Sequence, residues 1–147
     1  RSHDQHLEFD IELARSQSND NPVYYVQYAH ARICSVFRQL QERGQSFDTA
    51  AAAASLHRLV EPQEKHLLTV LQRYAQTLQA SASQYAPHLL AFYLRDLADA
   101  LHSYYNAHKF LVEDAELQTA RLALITATRQ GLVNGLDLLG VSQPESM

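Results

Sequence analysis

The chain has 147 residues, of which 46% are hydrophobic, and it contains only four glycines and four prolines. This composition fits one domain with a packed core and excludes extensive low-complexity disorder. The single cysteine, Cys34, excludes a disulfide scaffold, and no apolar run reaches the roughly 18 residues that a membrane span needs. The formal net charge of −4 gives no overall attraction to nucleic acid, so any phosphate binding requires a local basic patch.

The first twenty residues form an acidic segment with a net charge of −3. Within it, Leu7, Phe9, Ile11 and Leu13 alternate with acidic residues, which is the periodicity of a strand. The rest of the sequence has no second strand-like segment to pair with it. We therefore expect either that the segment contacts a part of the protein outside this chain, or that it is recruited into a helix. Because the chain starts at Arg1 rather than methionine, we expect it to be a piece of a longer protein.

A long helix is predicted after the polar residues 16–21. Asn21 suits the N-cap position, Pro22 suits the first helical turn, and Gly44 is a helix-ending signal after Arg43. Apolar residues recur at helical spacing and predict a buried stripe, formed by Val26, Ala29, Ile33, Phe37 and Leu40.

A short helix is expected within residues 45–60, which include the alanine run 50–54. A further helix is predicted from Pro62, with a stripe formed by Leu67, Leu71, Tyr74 and Leu78. The serine- and alanine-rich residues 80–86 are expected to loosen the chain.

Two more long helices follow. Pro87 opens the first, whose apolar side is predicted to comprise Leu90, Leu94, Leu97, Leu101, Tyr104 and His108. The acidic residues Glu113, Asp114 and Glu116 favour the start of the last helix, which Gly140 ends. Its apolar face is predicted to comprise Leu122, Ile125, Leu132, Leu136 and Leu139. These elements predict an all-α fold, a helical bundle of four main helices with one or two short ones.

The first long helix carries the clearest candidate for a binding surface. At about 100° per residue, Tyr25, Tyr28 and Arg32 share a strip beside the buried stripe rather than within it. Two aromatic rings and one cation in this arrangement suit unpaired bases and phosphate. The alternative is that the tyrosines pack on neighbouring helices and Arg32 forms a surface ion pair.

Two tyrosines on the helix from Pro87 are also informative. Tyr104 falls on the apolar stripe and is predicted to lie in the core, whereas Tyr105 falls at its edge and is the candidate for a surface role. Packing remains the alternative for Tyr105.

Other site chemistry has little support in the sequence. The eight histidines lack the clustered spacing of zinc or di-iron ligands, so we expect no metal site. His30 precedes Cys34 by one helical turn, and a structural role is expected for both. No phosphate-binding loop, nucleophile elbow or paired acidic arrangement is present, which leaves no predicted catalytic residue.

Three ordered motifs nevertheless resemble a known family. Residues 18–33, SNDNPVYYVQYAHARI, are similar to the start of the C-terminal (DALR-type) anticodon-binding domain of bacterial-type arginyl-tRNA synthetases. Residues 102–106, HSYYN, resemble a later segment of that domain. Residues 120–147, which include GLDLLGV and end in PESM, resemble its terminal helix and tail. The match is weak across residues 44–84.

The resemblance implies that two domains have separate roles in a class I arginine–tRNA ligase. A catalytic domain outside this chain would use ATP and Mg2+ to activate arginine, while this domain grips the anticodon stem-loop of arginine tRNA. By the family's pattern, Tyr28, Arg32, Tyr105 and the terminal Met147 would surround the anticodon bases, and Tyr25 is close enough to join them. Ser146 replaces an arginine that is common in the family, which removes a possible basic contact.

From the same resemblance we expect residues 1–20 to be a lead-in segment beside the catalytic domain and residues 21–147 to be the helical domain. A cytoplasmic monomer without membrane contact is expected. Two other functions stay open. The net negative charge and many leucines would also suit a helical protein-interaction domain without RNA affinity. A free-standing helical enzyme would need a pocket of titrating groups, for which there is no motif.

Overall fold

The structure is a computed structural model that describes residues 10–18 and 20–147. This part of the chain is all helical and contains no strand, which confirms the predicted all-α fold. The helices are α1 (Ile11–Arg15), α2 (Pro22–Glu42), α3 (Thr49–Ser55), α4 (Pro62–Gln72), α5 (Tyr74–Ser83), α6 (Pro87–Ala107) and α7 (Ala115–Leu138), with a 3₁₀ turn at Leu56–Arg58.

The strand predicted from residues 7–13 is wrong for the part that the structure describes. Ile11–Arg15 form helix α1, because the carboxylate of Asp10 accepts a hydrogen bond from the Leu13 backbone N–H at 3.0 Å and caps the helix. The alternative of recruitment into a helix is correct for these residues. Residues 7–9 lie outside the described residues.

Helix α2 follows its sequence signals closely. The Asn21 side chain accepts hydrogen bonds from the backbone N–H groups of Val23 and Tyr24, and Pro22 occupies the first turn. Gly44 ends the helix with φ of +68°, a left-handed conformation that glycine adopts at little cost. The predicted stripe is buried except for Phe37, which is half-buried against the core.

The helix predicted from Pro62 is two helices. The chain turns at Arg73, whose N–H bonds to the Val70 carbonyl at 3.1 Å, so that α4 and α5 both reach α6. Helix α5 then continues to Ser83, although looser structure was expected from Ala80 onward. Alanine is the strongest helix former, and the break falls later, at Tyr85 with φ of +51°.

Helix α6 lies at the centre of the bundle and contacts α2, α4, α5 and α7. Leu97, Leu101 and Tyr104 on α6 are fully buried, as are Ile125 and Leu132 on α7. Tyr104 is therefore a core residue, as predicted. At Gly135 the two helices approach so closely that an added Cβ would lie 2.5 Å from the nearest Leu94 methyl carbon. This close contact fixes α7, and with it the path of the chain that follows.

The described helices include none that combines the length and apolar character needed to cross a membrane.

Candidate nucleic-acid interface

A stack of three planar groups connects α2 with the end of α6. The guanidinium carbon of Arg32 lies 4.7 Å from the ring centre of Tyr28 and 4.6 Å from the ring centre of Tyr105. Tyr28 and Arg32 are one helical turn apart, while Tyr105 reaches Arg32 only because α2 and α6 pack together. Such cation–π contacts contribute about 0.5–1 kcal/mol each at exposed sites. The stack therefore holds two aromatic rings and a cation at one place.

His102 and Asn106 fix the orientation of Arg32. Nη1 of Arg32 donates to Nδ1 of His102 at 3.1 Å and to Oδ1 of Asn106 at 3.4 Å. The other ring nitrogen of His102, Nε2, donates to the Tyr25 carbonyl at 3.4 Å, so the ring is neutral with its proton on Nε2. Burial is the main cause that lowers the pKa of His102, and the nearby Arg32 charge adds to it. Both bonds use Nη1, which leaves the rest of the guanidinium for other partners.

The C-terminal tail lies along α2 and completes the site. Gln27 donates to the Ser142 carbonyl at 2.9 Å, and Nδ1 of buried His30 donates to the Pro144 carbonyl at 2.9 Å. Arg38 donates to the Glu145 carbonyl at 3.3 Å. These bonds recognise the backbone of the tail, and together they bring its last two residues beside the Tyr28–Arg32–Tyr105 stack.

A cavity of about 250 Å³ opens at this place. Its walls contain four of the five residues singled out in the sequence, namely Tyr28, Arg32, Tyr105 and Met147. The remaining lining residues are Ala31, Ser35, Arg38 and Ser146. After the role that the family resemblance predicts for the first four of these residues, we call it the anticodon cavity. Met147 is 47% exposed and the two tyrosines are half-buried, so these side chains are accessible to a ligand while they still pack against the protein.

Tyr25 lies apart from the anticodon cavity. Its ring packs against the core and lies 4.7 Å from the imidazole of His102, and it does not line the cavity. Burial, with the neighbouring Asp99 carboxylate, raises the pKa of Tyr25 to about 12. Tyr25 therefore contacts the cavity residues only indirectly. Its ring and its carbonyl oxygen both contact His102, which in turn bonds to Arg32.

Sequence reasoning missed several residues that build the site. Ser35 lies about one turn beyond Arg32 on α2, so helical spacing could have found it, whereas Arg38 falls about 120° from Arg32 around the helix and has no such signal. His102 and Asn106 flank Tyr105 in the HSYYN motif, but their bonds to Arg32 depend on how α2 and α6 cross. The bonds from His30 and Gln27 to tail carbonyls have no sequence signal, because any residue supplies a carbonyl.

Other polar groups of the interior are structural. Fully buried Glu64 on α4 accepts hydrogen bonds from Arg121 Nε at 3.0 Å and from the Tyr104 hydroxyl at 2.9 Å. Cys34 is buried beside His30, and burial raises the pKa of its thiol, which makes it a poor nucleophile. Within residues 10–18 and 20–147, no three histidine, cysteine or acidic side chains lie close enough to hold a metal ion.

Comparison with known proteins identifies the class of fold. A family model described as "DALR anticodon binding domain" matches residues 26–147. Two solved structures are similar to the chain. One is described as an arginyl-tRNA synthetase from Campylobacter jejuni, with a TM-score of 0.84 and 28% identity over all of this chain and 31% of that one. The other is an arginyl-tRNA synthetase from Thermus thermophilus, with a TM-score of 0.76 and 33% identity over 95% of this chain and 23% of that one.

Curated relatives agree with the structures. Arginine–tRNA ligases of Coxiella burnetii and Legionella pneumophila are 56% and 52% identical over the whole chain, which spans 25% of their length. The chain belongs to the DALR anticodon-binding domain family, as it occurs in arginyl-tRNA synthetases. The resemblance carried by the three sequence motifs is thereby confirmed.

Proposed function

We propose that the chain is the tRNA-binding module of an arginine–tRNA ligase and that the anticodon cavity binds the anticodon stem-loop of arginine tRNA. The observation that carries the proposal is the convergence of Tyr28, Arg32, Tyr105 and Met147 on one cavity from three separate parts of the chain. Helical spacing alone brings Tyr28 and Arg32 together, but Tyr105 and Met147 join them only through tertiary packing.

The chemistry of the cavity suits an unpaired base and its phosphate. Aromatic rings stack on exposed bases of any identity, which contributes about 1–3 kcal/mol per base. Arg32 and Arg38 supply positive charge, and the backbone groups near Met147 supply directional hydrogen bonds that can discriminate between bases. Stacking therefore accounts for affinity, and the tail accounts for selectivity.

The chain spans about a quarter of its curated relatives, so the remaining steps are assigned to the rest of a longer protein. In this proposal a separate catalytic domain binds ATP and Mg2+, activates arginine and charges the tRNA in the cytoplasm. The helical domain holds the anticodon end of the same tRNA. Tyr25 contributes by supporting His102 rather than by touching RNA.

The proposal is tested by titrating the chain with a synthetic hairpin that carries the anticodon stem and loop of an arginine tRNA, at low salt. Tyr28→Ala and Tyr105→Ala are each expected to weaken binding about five- to 150-fold, which corresponds to the loss of about 1–3 kcal/mol of stacking. Arg32→Ala is expected to weaken it similarly, because it removes both the charge and the group that holds the two rings.

Tyr85→Ala is the matched control, since Tyr85 is 92% exposed and does not line the cavity. Equal affinity of the wild-type chain and all three cavity variants would refute the proposed surface.

A protein-interaction function has one observation in its favour. An apolar groove of about 180 Å³ lies between α2, α6 and the end of α7, with Val23, Phe92 and Leu136 among its lining residues. A chain that binds only proteins would give no saturable binding of the hairpin, so the same titration separates the two functions.

A further inference from the structure

A second cavity adjoins the anticodon cavity, and Tyr105 belongs to both. It has a volume of about 350 Å³, and its lining comprises Val36, Gln39, Arg43, Tyr105, His108, Lys109, Phe110 and Leu111. Its floor is apolar, because Phe110 is buried and its ring lies 5.6 Å from that of Tyr105. The mouth carries the side chains of Arg43 and Lys109, which are both exposed. We call it the flanking cavity.

The two cavities lie on a continuous face of α2. At about 100° per residue, Tyr28, Arg32, Gln39 and Arg43 all fall within roughly 60° around the helix axis. From Tyr28 to Arg43 this face extends about 22 Å along the helix. Tyr105 lines both cavities, so it lies where they adjoin.

The distribution of positive charge favours an anionic ligand. Eleven lysines and arginines fall within the described residues, and four of them, Arg58, Arg73, Arg121 and Arg129, form ion pairs there. Seven make no ion pair with another described residue, and four of these seven line the two adjoining cavities: Arg32, Arg38, Arg43 and Lys109. Glu42, which lies at the edge of this face, is the acidic neighbour on α2. Within the described part of a chain with a net charge of −4, four of the seven cations without an ion pair to another described residue thus lie around the two cavities.

We infer that the flanking cavity is a second RNA-contact site, in which Arg43 and Lys109 hold a backbone phosphate next to the nucleotide bound in the anticodon cavity. The inference rests on the proposed function, and it adds a site with a different role. Phosphate contacts position the RNA and carry no base identity, whereas the anticodon cavity contacts the bases. Because both cations are exposed, their attraction for phosphate is screened by salt, so it is measurable as a salt dependence of binding.

The test measures the salt dependence of hairpin binding for Arg43→Gln, Lys109→Gln and the double variant. For a single strand, log K falls with log salt with a slope of about −0.7 for each phosphate that is neutralised. Each single substitution is expected to weaken binding several-fold at low salt, and the double variant, which loses the one phosphate contact, is expected to reduce the slope by about 0.7. The loss should be the same for a hairpin with altered anticodon bases, because the lost contact is with phosphate.

Lys65→Gln and Arg15→Gln are the matched controls, since they remove the same charge from residues that line neither cavity. The urea unfolding midpoint of each variant checks that the fold is kept. If Tyr28→Ala weakens binding but the double variant keeps wild-type affinity and slope, the inference is overturned. An equal loss of affinity in the Lys65→Gln and Arg15→Gln controls also overturns it. Absence of hairpin binding by the wild-type chain overturns both the inference and the proposed function.

Discussion

Arg32 is the residue on which the geometry of the anticodon cavity depends most. Its guanidinium contacts two rings and bonds to His102 and Asn106, so one side chain ties α2 to the last turn of α6. Lysine could supply the charge but not the planar surface that stacks between two tyrosines. The neutral imidazole of His102 is part of this arrangement, because a proton on Nδ1 would face the Arg32 cation in place of a lone pair.

Stability is accordingly expected to fall below pH 6.5 through His102. Unfolded histidine has a pKa of about 6.5, and burial lowers the pKa of His102 in the folded chain. In the window below 6.5 the unfolded state therefore binds more protons, and the free energy of unfolding decreases as pH falls. His102→Gln, which can still accept from Arg32 and donate to Tyr25, should reduce the pH dependence measured by urea unfolding between pH 7.5 and 5.

The exposed His66 provides the control for this prediction. His66→Gln makes the same substitution at an exposed position and is measured alongside. If His102→Gln gives the same pH dependence as the wild-type chain, His102 does not titrate as its burial implies.

Among the elements, the short C-terminal tail forms one wall of the anticodon cavity. Helix α7 ends at Leu138, Gly140 turns the chain with φ of +68°, and the last residues return along α2. Three α2 side chains, Gln27, His30 and Arg38, bond to tail carbonyls. Helix α2 therefore supplies both the stacking surface and the support for the opposite wall of the cavity.

Deletion of Ser146 and Met147 tests this arrangement. Both residues are exposed and line the anticodon cavity. The shortened chain is expected to bind the arginine-tRNA hairpin several-fold more weakly, while its free energy of unfolding in urea stays within about 0.5 kcal/mol of wild type, as for other surface changes. Undiminished binding would contradict a role for the tail in the site.

The limits of sequence reasoning are clearest at this scale. Local signals predict α2 from its Asn21 cap to Gly44, and helical spacing alone places Tyr28 and Arg32 together. The split at Arg73 has no such signal, because residues on both sides of it are good helix formers and only packing on α6 explains the turn. Alternating residues suggested a strand at Ile11 and Leu13, where the Asp10 cap produces a helix. The meeting of Tyr105 and Met147 with Arg32 depends on tertiary packing, and only the family resemblance anticipated it.

At the scale of the whole molecule, one buried polar network connects three helices. Glu64 on α4 accepts from Arg121 on α7 and Tyr104 on α6, while its second oxygen accepts from the Glu61 backbone N–H at 3.0 Å. Arg121 also donates to the Lys109 carbonyl at 2.7 Å, in the loop between α6 and α7. The network thus fixes the loop that borders the flanking cavity. Removal of one partner leaves a buried charge without its counterpart.

Glu64→Ala is expected to destabilise the chain by about 3–5 kcal/mol, the usual cost of breaking a buried ion pair. The double variant Glu64→Met with Arg121→Met should recover much of this loss, because it removes both charges and keeps apolar volume. Urea unfolding monitored by circular dichroism measures both. The exposed pair Arg73–Asp96 is the control, and Asp96→Ala should cost less than about 1 kcal/mol. A loss of less than about 1 kcal/mol for Glu64→Ala as well would show that the network contributes little to the free energy of unfolding.

The account depends most on the claim that one cavity, assembled from α2, α6 and the tail, reads the anticodon of arginine tRNA. The direct measurement is the ratio of dissociation constants for the arginine-tRNA hairpin and for the same stem with a permuted anticodon. The wild-type chain is predicted to prefer the arginine anticodon, and the chain without Ser146 and Met147 is predicted to lose most of that preference while Tyr85→Ala keeps it. Equal binding of both hairpins by the wild-type chain, or an unchanged preference in the shortened chain, would contradict the account.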